Sequence, residues 1–218
     1  MGGFILMNDV LLPQVNSNCR FCNFNQWMPA GVRVLNAAVN YNPFSVTIGN
    51  NNIATNLDQG SITRYNQVNQ GYQTVTLSGS NGYIYVQKQV YIGDGMTTIA
   101  IINTASGLDL LPISDTACAT NAFSSCIRVA NLAYYSGPVN VELGNVIFSS
   151  VPFRDVTAFS RVSSGNYTAR ISRPQRPGNM LLSVPVNLSP NRIYTMYIMN
   201  WNASADAIQT LLVEDRRS

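Results

Sequence analysis

"VRVLNAAVNYNPFSVTIGN", residues 32–50, and "IRVANLAYYSGPVNVELGN", residues 127–145, are near twins within one chain, each with Arg second, Pro twelfth and Gly-Asn last. In the first, Phe44, Val46 and Ile48 alternate with Ser45 and Thr47; in the second, Val139, Val141 and Leu143 alternate with Asn140 and Glu142. A period of two with one apolar face is the mark of a half-buried strand. The twins stand 95 residues apart, and the offset then drifts. "QGYQTVTLSG" from Gln70 answers "SGNYTARISR" from Ser164, and "DGMTTIAIIN" from Asp94 answers "PNRIYTMYIMN" from Pro190. Offsets that hold within strands and slip between them are what two copies of one domain with variable loops produce.

The alternating pattern runs on through "YQTVTLS", "YIYVQKQVYI" and "TTIAIIN" in the first copy, and through "FSRVSSGNYTARI", "MLLSVPVNL" and "IYTMYIMNW" in the second. Turn signals such as "IGNNN", "SGSNG", "IGDG" and "SPNR" separate these runs, and no helical period of useful length appears. The expected fold is all-β: two tandem antiparallel β-sandwiches with an extended N-terminal arm. The expected divisions are an arm over 1–29, a first sandwich over 30–115, a cysteine-containing linker over 116–126 and a second sandwich over 127–218.

Of the 218 residues 46% are hydrophobic and only 11% charged, against about 25% charged in an ordinary soluble domain. The 26 asparagines cover surface that charge would otherwise cover. An amide-rich, weakly charged surface suits a protein that packs against copies of itself, because little self-repulsion keeps the copies apart. The net charge of +3 rests on twelve Arg and one Lys spread along the chain. The densest group, Arg170, Arg173 and Arg176, is broken by Pro174 and Pro177, which argues against a phosphate-tracking stripe and against nucleic acid as a partner. No apolar run is long enough for a helical membrane span. The start "MGGFILMNDVLLPQVNSN" lacks the basic region and long apolar stretch of an ordinary signal peptide.

The paired "[VI]RV" strands, each followed by Pro, an alternating strand and Gly-Asn, resemble a bacterial family known only as domain of unknown function 4397. The resemblance covers roughly residues 30 to 218 and implies an immunoglobulin-like or transthyretin-like sandwich, often in tandem, in envelope or surface proteins that include short two-copy proteins of anaerobic spore formers. Here Asn36 stands where the commoner version of the stretch has His. The resemblance implies no catalytic residues and no cofactor.

Residues themselves point the same way. The chain has no His, which removes the usual general base and the usual triad. Asp58, Asp94, Asp109, Asp115 and Asp206 sit beside turn formers and are expected in turns and at edges. Glu214 and Asp215, followed by Arg216 and Arg217, read as a solvated tail. Four cysteines avoid the expected strands: Cys19 and Cys22 in the arm, Cys118 and Cys126 in the linker. Zinc would want two close pairs, and the second spacing is wide for a knuckle. Disulfides fit better, with the pairing left open among three within one chain.

The arm divides into an apolar, strand-like part carrying Phe4, Ile5, Leu6, Val10, Leu11, Leu12 and Val15, and a polar, thiol-bearing part. Such a segment pairs either with an edge of its own first sandwich or with an edge of the next subunit. The expected function is a non-enzymatic structural protein of the bacterial surface, on a spore, that joins copies of itself head-to-tail, or other surface-layer proteins, and is cross-linked by disulfides. Assembly in the mother cell and exposure on its lysis would dispense with a signal peptide. The alternative is an adhesin or glycan-binding module, with Tyr41, Tyr65, Tyr72, Tyr83, Tyr85, Tyr91, Tyr134, Tyr135 and Trp201 as stacking candidates.

Overall fold

A computed structural model describes residues 30–41 and 43–215. The described residues form sixteen strands and no helix. The first eight are β1 (Ala30–Asn36), β2 (Phe44–Ile48), β3 (Asn51–Leu57), β4 (Asn66–Val68), β5 (Gly71–Gly79), β6 (Ile84–Ile92), β7 (Met96–Thr104) and β8 (Gly107–Ser114). The second eight are β9 (Ser124–Asn131), β10 (Val139–Leu143), β11 (Val146–Val151), β12 (Ser160–Ser163), β13 (Gly165–Arg173), β14 (Arg176–Leu188), β15 (Ile193–Asn200) and β16 (Ile208–Glu214).

They build four sheets, ordered β4-β1-β7-β8 and β3-β2-β5-β6 in the first copy, β12-β9-β15-β16 and β11-β10-β13-β14 in the second. Adding eight to each strand number of the first copy reproduces the second, so the duplication holds strand for strand. The tandem all-β reading stands. One pairing in each copy departs from a purely antiparallel sandwich: β1 runs parallel to β7, and β9 parallel to β15. The first two strands of each copy also lie in different sheets, unlike the immunoglobulin constant-type order.

The Gly-Asn that closes each twin makes the hairpin between second and third strands. Gly49 and Gly144 adopt φ values of 57° and 59°, where a side chain is strained. Asn36 and Asn131, the fifth residue of each twin, also do one job twice. Asn36 donates to the Leu57 carbonyl at 3.0 Å and Asn131 to the Val151 carbonyl at 2.9 Å, tying the first strand to the third. Their side-chain oxygens accept from the amides of Ala38 and Ala133.

Each sandwich has its own core. Val32, Val34, Phe44, Val46, Leu77, Ile99 and Ile101 fill the first, and Ile127, Val129, Val141, Leu143, Ile171, Met196 and Ile198 fill the second. A third core lies between the copies, where Leu35, Ala37, Ala100, Ile102 and Ile113 meet Ala130, Leu132, Tyr197 and Met199. The expectation of half-buried strands therefore fails for β7 and β15, and β1 and β9 are buried in the same way. In β1, β9 and β15 every residue is buried, and in β7 all but the two ends. The reason is that odd and even positions face different cores: Val32 and Val34 point into the first sandwich, Leu35 toward the second copy.

Candidate functional site

The chemistry of the described residues concentrates in that middle layer. Arg33, second residue of its twin and of the motif that repeats, is buried on β1 beside Thr98 of β7, its register partner. Arg128 is buried on β9 beside Thr195 of β15 in the same way. Arg33 Nε donates to Thr98 Oγ1 at 2.8 Å, and Arg128 Nε to Thr195 Oγ1 at 2.8 Å. Each guanidinium then reaches into the other copy. Arg33 pairs with Asp215, just past β16, at 2.5 Å, and Arg128 pairs with Asp115, just past β8, at 2.8 Å. Their remaining nitrogens donate to backbone carbonyls at matching places, Glu214 and Ser114. The Thr98 hydroxyl donates to Asp115 at 2.7 Å and the Thr195 hydroxyl to Asp215 at 2.5 Å. The result is a pseudo-two-fold lock in which each of the four charges takes its threonine from its own copy and its close counter-ion from the other.

Burying four charges is expensive unless each is paired and hydrogen-bonded, and here each is. An aromatic ring covers each guanidinium, Tyr65 over Arg33 at 4.5 Å and Phe159 over Arg128 at 4.7 Å. Only the first ring has a hydroxyl, which donates to Asp115 at 2.8 Å. Tyr197 adds a hydroxyl between Arg33 and Thr98, 3.3 Å from each.

Burial works against the Arg33 charge, yet Tyr197, Asp115, Tyr65 and Asp215 outweigh it and hold its pKa above the ordinary value. Burial raises Asp115, with Asp215 acting in the same sense against the attraction of Arg33 and the Thr98 and Tyr65 hydrogen bonds. Burial, then the Asp115 charge, lifts the Tyr65 phenol far above its usual range. Burial likewise pushes Tyr197 up to about 12, against the pull of Arg33. These groups are spent on one another, so what the arrangement does chemically is hold two sandwiches as one body.

Two readings from sequence need correction. Asp115 is not a turn acid, and Asp215 does not belong to a solvated tail; both side chains are fully buried in the lock. Asp109 and Asp206 do lie at the surface, paired with Lys88 and Arg154 and with Arg173. The signal that would have found the lock is the twin itself, since an Arg inside an apolar strand is costly and here it occurs twice at one position.

Cys118 and Cys126 are joined by a disulfide with Cα atoms 6.3 Å apart. Cys126 is a correction too, because it lies inside β9 and is fully buried instead of standing in a linker. Cys19, Cys22 and the arm residues Phe4, Ile5, Leu6, Val10, Leu11, Leu12 and Val15 lie outside the described residues, as do Arg216 and Arg217. Among the described residues no group of His, Cys, Asp and Glu is placed to hold a metal ion, and no helix is long and apolar enough to cross a membrane.

The aromatic candidates divide. Tyr41 and Tyr85 pack on the first core with Phe44, Tyr65 covers Arg33, and half-buried Tyr134 packs between Phe153 and half-buried Tyr135. Tyr72, Tyr83, Tyr91 and Trp201 are exposed. Arg173 and Arg176 line a surface cleft of about 420 Å³ with Gln175, Asn179 and Asp206, at the β13–β14 hairpin.

This architecture defines a class: a tandem all-β protein in which two duplicated sandwiches share a buried, charge-paired middle layer. The chain belongs to the family described as Domain of unknown function (DUF4397), whose profile matches residues 30–142 and 136–218. No curated protein matches the chain.

Proposed function

We propose that this chain is a non-enzymatic structural subunit of the bacterial surface, on a spore, that assembles with copies of itself into fibres or a layer through its N-terminal arm, with disulfide cross-links. The observation that carries the reading is the state of the sheet edges. Strands β6 and β14 each pair on one side only, as the last members of their sheets. They are nine and thirteen residues long. Natural proteins blunt such edges with charge, proline or short length. β6 carries a single charge, Lys88, and no proline, whereas β14 carries Arg176, Pro177 and Pro185, so β6 is the less protected of the two edges.

An open edge of this length is a template for an added strand, with main-chain hydrogen bonds giving affinity and alternate side chains giving register. The apolar half of the arm, Phe4 to Val15, has the composition of such a strand. Cys19 and Cys22 follow it closely enough to fix the junction covalently. A body whose copies are fixed to each other transmits a head-to-tail contact from one subunit to the next, and heterologous contacts of that kind propagate. Placement on the spore follows the family resemblance alone.

Deletion of residues 1–29, followed by size-exclusion chromatography and negative-stain electron microscopy, tests the reading. The expected product is a folded monomer, while the full chain forms fibres or sheets that loosen with reductant. Fibres formed equally by the truncated protein overturn the role of the arm. Antibody labelling of intact spores checks the location, and its absence there overturns that part.

A further inference from the structure

The duplication supplies an internal comparison. Strands β5 and β6 of the first copy correspond to β13 and β14 of the second, and Gly71 and Gly165 open the first strand of each pair. The first cross-strand pair on the outer face is Tyr72 opposite Tyr91 in one copy and Asn166 opposite Asn187 in the other. In the second copy the two amides hydrogen-bond to each other at 2.6 Å and the strands pair normally. The fold is therefore satisfied without rings here. The tyrosines are nonetheless present and turned to solvent, 73% and 62% exposed, with centroids 5.3 Å apart and planes inclined by 64°.

The rest of that face has a consistent character. Thr74 lies opposite Gln89 and Thr76 opposite Gln87, so the rows beyond the tyrosines carry hydroxyls and planar amides and no charge. The matching rows of the second copy hold Arg170, with Glu142 beside it. A cleft of about 300 Å³ opens against Tyr72, lined by Asn69, Gln70, Gly71 and Gln73.

We propose that this face is a saccharide-binding site of the first copy only, taking a neutral, β-linked oligosaccharide of equatorially substituted pyranoses. Such a sugar carries axial C–H groups on its two broad faces, either of which stacks on an aromatic ring, and a rim of equatorial hydroxyls, which exchange hydrogen bonds with amides and hydroxyls. Tyr72 and Tyr91 are the platforms; Gln70 and Gln89 are the rim partners. The absence of charge on these rows matches a neutral ligand and disfavours an acidic polymer, which would instead seek the Arg173–Arg176 cleft of the other copy. The inference is independent of the arm and of self-assembly.

Titration of the full chain with cellohexaose and with chitohexaose, by calorimetry, is the test. At least one sugar is expected to bind saturably, and Tyr72→Ala to weaken it about tenfold, as the loss of one stacking ring implies. The double variant Tyr72→Asn/Tyr91→Asn, which copies the second sandwich, is expected to abolish binding and to leave the melting temperature unchanged. Tyr72→Ala, at a position three-quarters exposed, serves if the double variant folds poorly. Failure of the unaltered protein to bind either sugar overturns the proposal, as does undiminished binding by the variants. If the variants change particle size while the unaltered protein binds no sugar, the face is a contact between copies and the proposal also fails.

Discussion

Replacing Arg33 by Met removes one charge from the lock and little volume. Three hydrogen-bond partners lose their donor: Thr98 Oγ1 at 2.8 Å, the Glu214 carbonyl at 3.3 Å and the Tyr197 hydroxyl at 3.3 Å. Asp215, with a side chain of 0% exposure, loses its counter-ion and keeps the Thr195 hydroxyl and Arg128 at 3.8 Å. Stripping one partner from a buried pair costs about 3–5 kcal/mol, because the charge left behind is uncompensated. With a urea m-value of about 2.5 kcal/mol per molar, the unfolding midpoint falls by about 1–2 M. The double variant Arg33→Met/Asp215→Asn removes the orphaned charge and is expected to recover part of the loss, with a coupling energy of about 1–3 kcal/mol. Urea unfolding of both variants, with the disulfide intact and followed by tyrosine fluorescence, reads this directly. A cost for Arg33→Met below about 1 kcal/mol, the value of an exposed pair, refutes the reasoning.

Leu35→Ala tests the middle layer without charge: a core truncation costs about 2–5 kcal/mol, whereas the same change on a free surface stays within about 0.5 kcal/mol, and chemical denaturation separates the two. Alkali is expected to unfold the protein through its phenols. Because the folded pKa of Tyr197 is raised to about 12, its contribution is fully present below the unfolded value near 10 and is lost as pH climbs through the folded value. Stability measured from pH 9 to 12 therefore falls, and Tyr197→Phe flattens the slope; an unchanged slope counts against the assignment. Replacing Cys118 and Cys126 together by Ala opens a loop of sequence separation eight and is expected to cost about 2–3 kcal/mol in thermal or urea unfolding, with the circular dichroism spectrum retained.

Much of the fold was legible because the duplication prints its own alignment. Strand positions, hairpin glycines and the tandem plan follow from residues that recur at one spacing. The middle layer was not read, although "TTIAIIN" and "IYTMYIMNW" carry apolar residues at both odd and even positions, which a strand wet on one side does not tolerate. Asp115 and Asp215 escaped because their neighbours mislead: one precedes a polar linker and the other a pair of arginines. Local composition describes what surrounds a residue in the chain, and these two are defined by what lies across an interface. The aromatics divided for the same reason, since alternation assigns a face but not what covers it.

Each arginine finds its acid in the other copy, so the two halves of the chain hold complementary parts of one salt-bridge set. Joined in a single polypeptide, they meet at a fixed local concentration, and the union does not weaken on dilution as a dimer of separate chains would. It also frees the pair from the rule that partners in a symmetric dimer must change together. Substitutions at the lock remain coupled across the gene, whereas the outer faces can drift separately, as the tyrosine pair of one copy and the asparagine pair of the other already show.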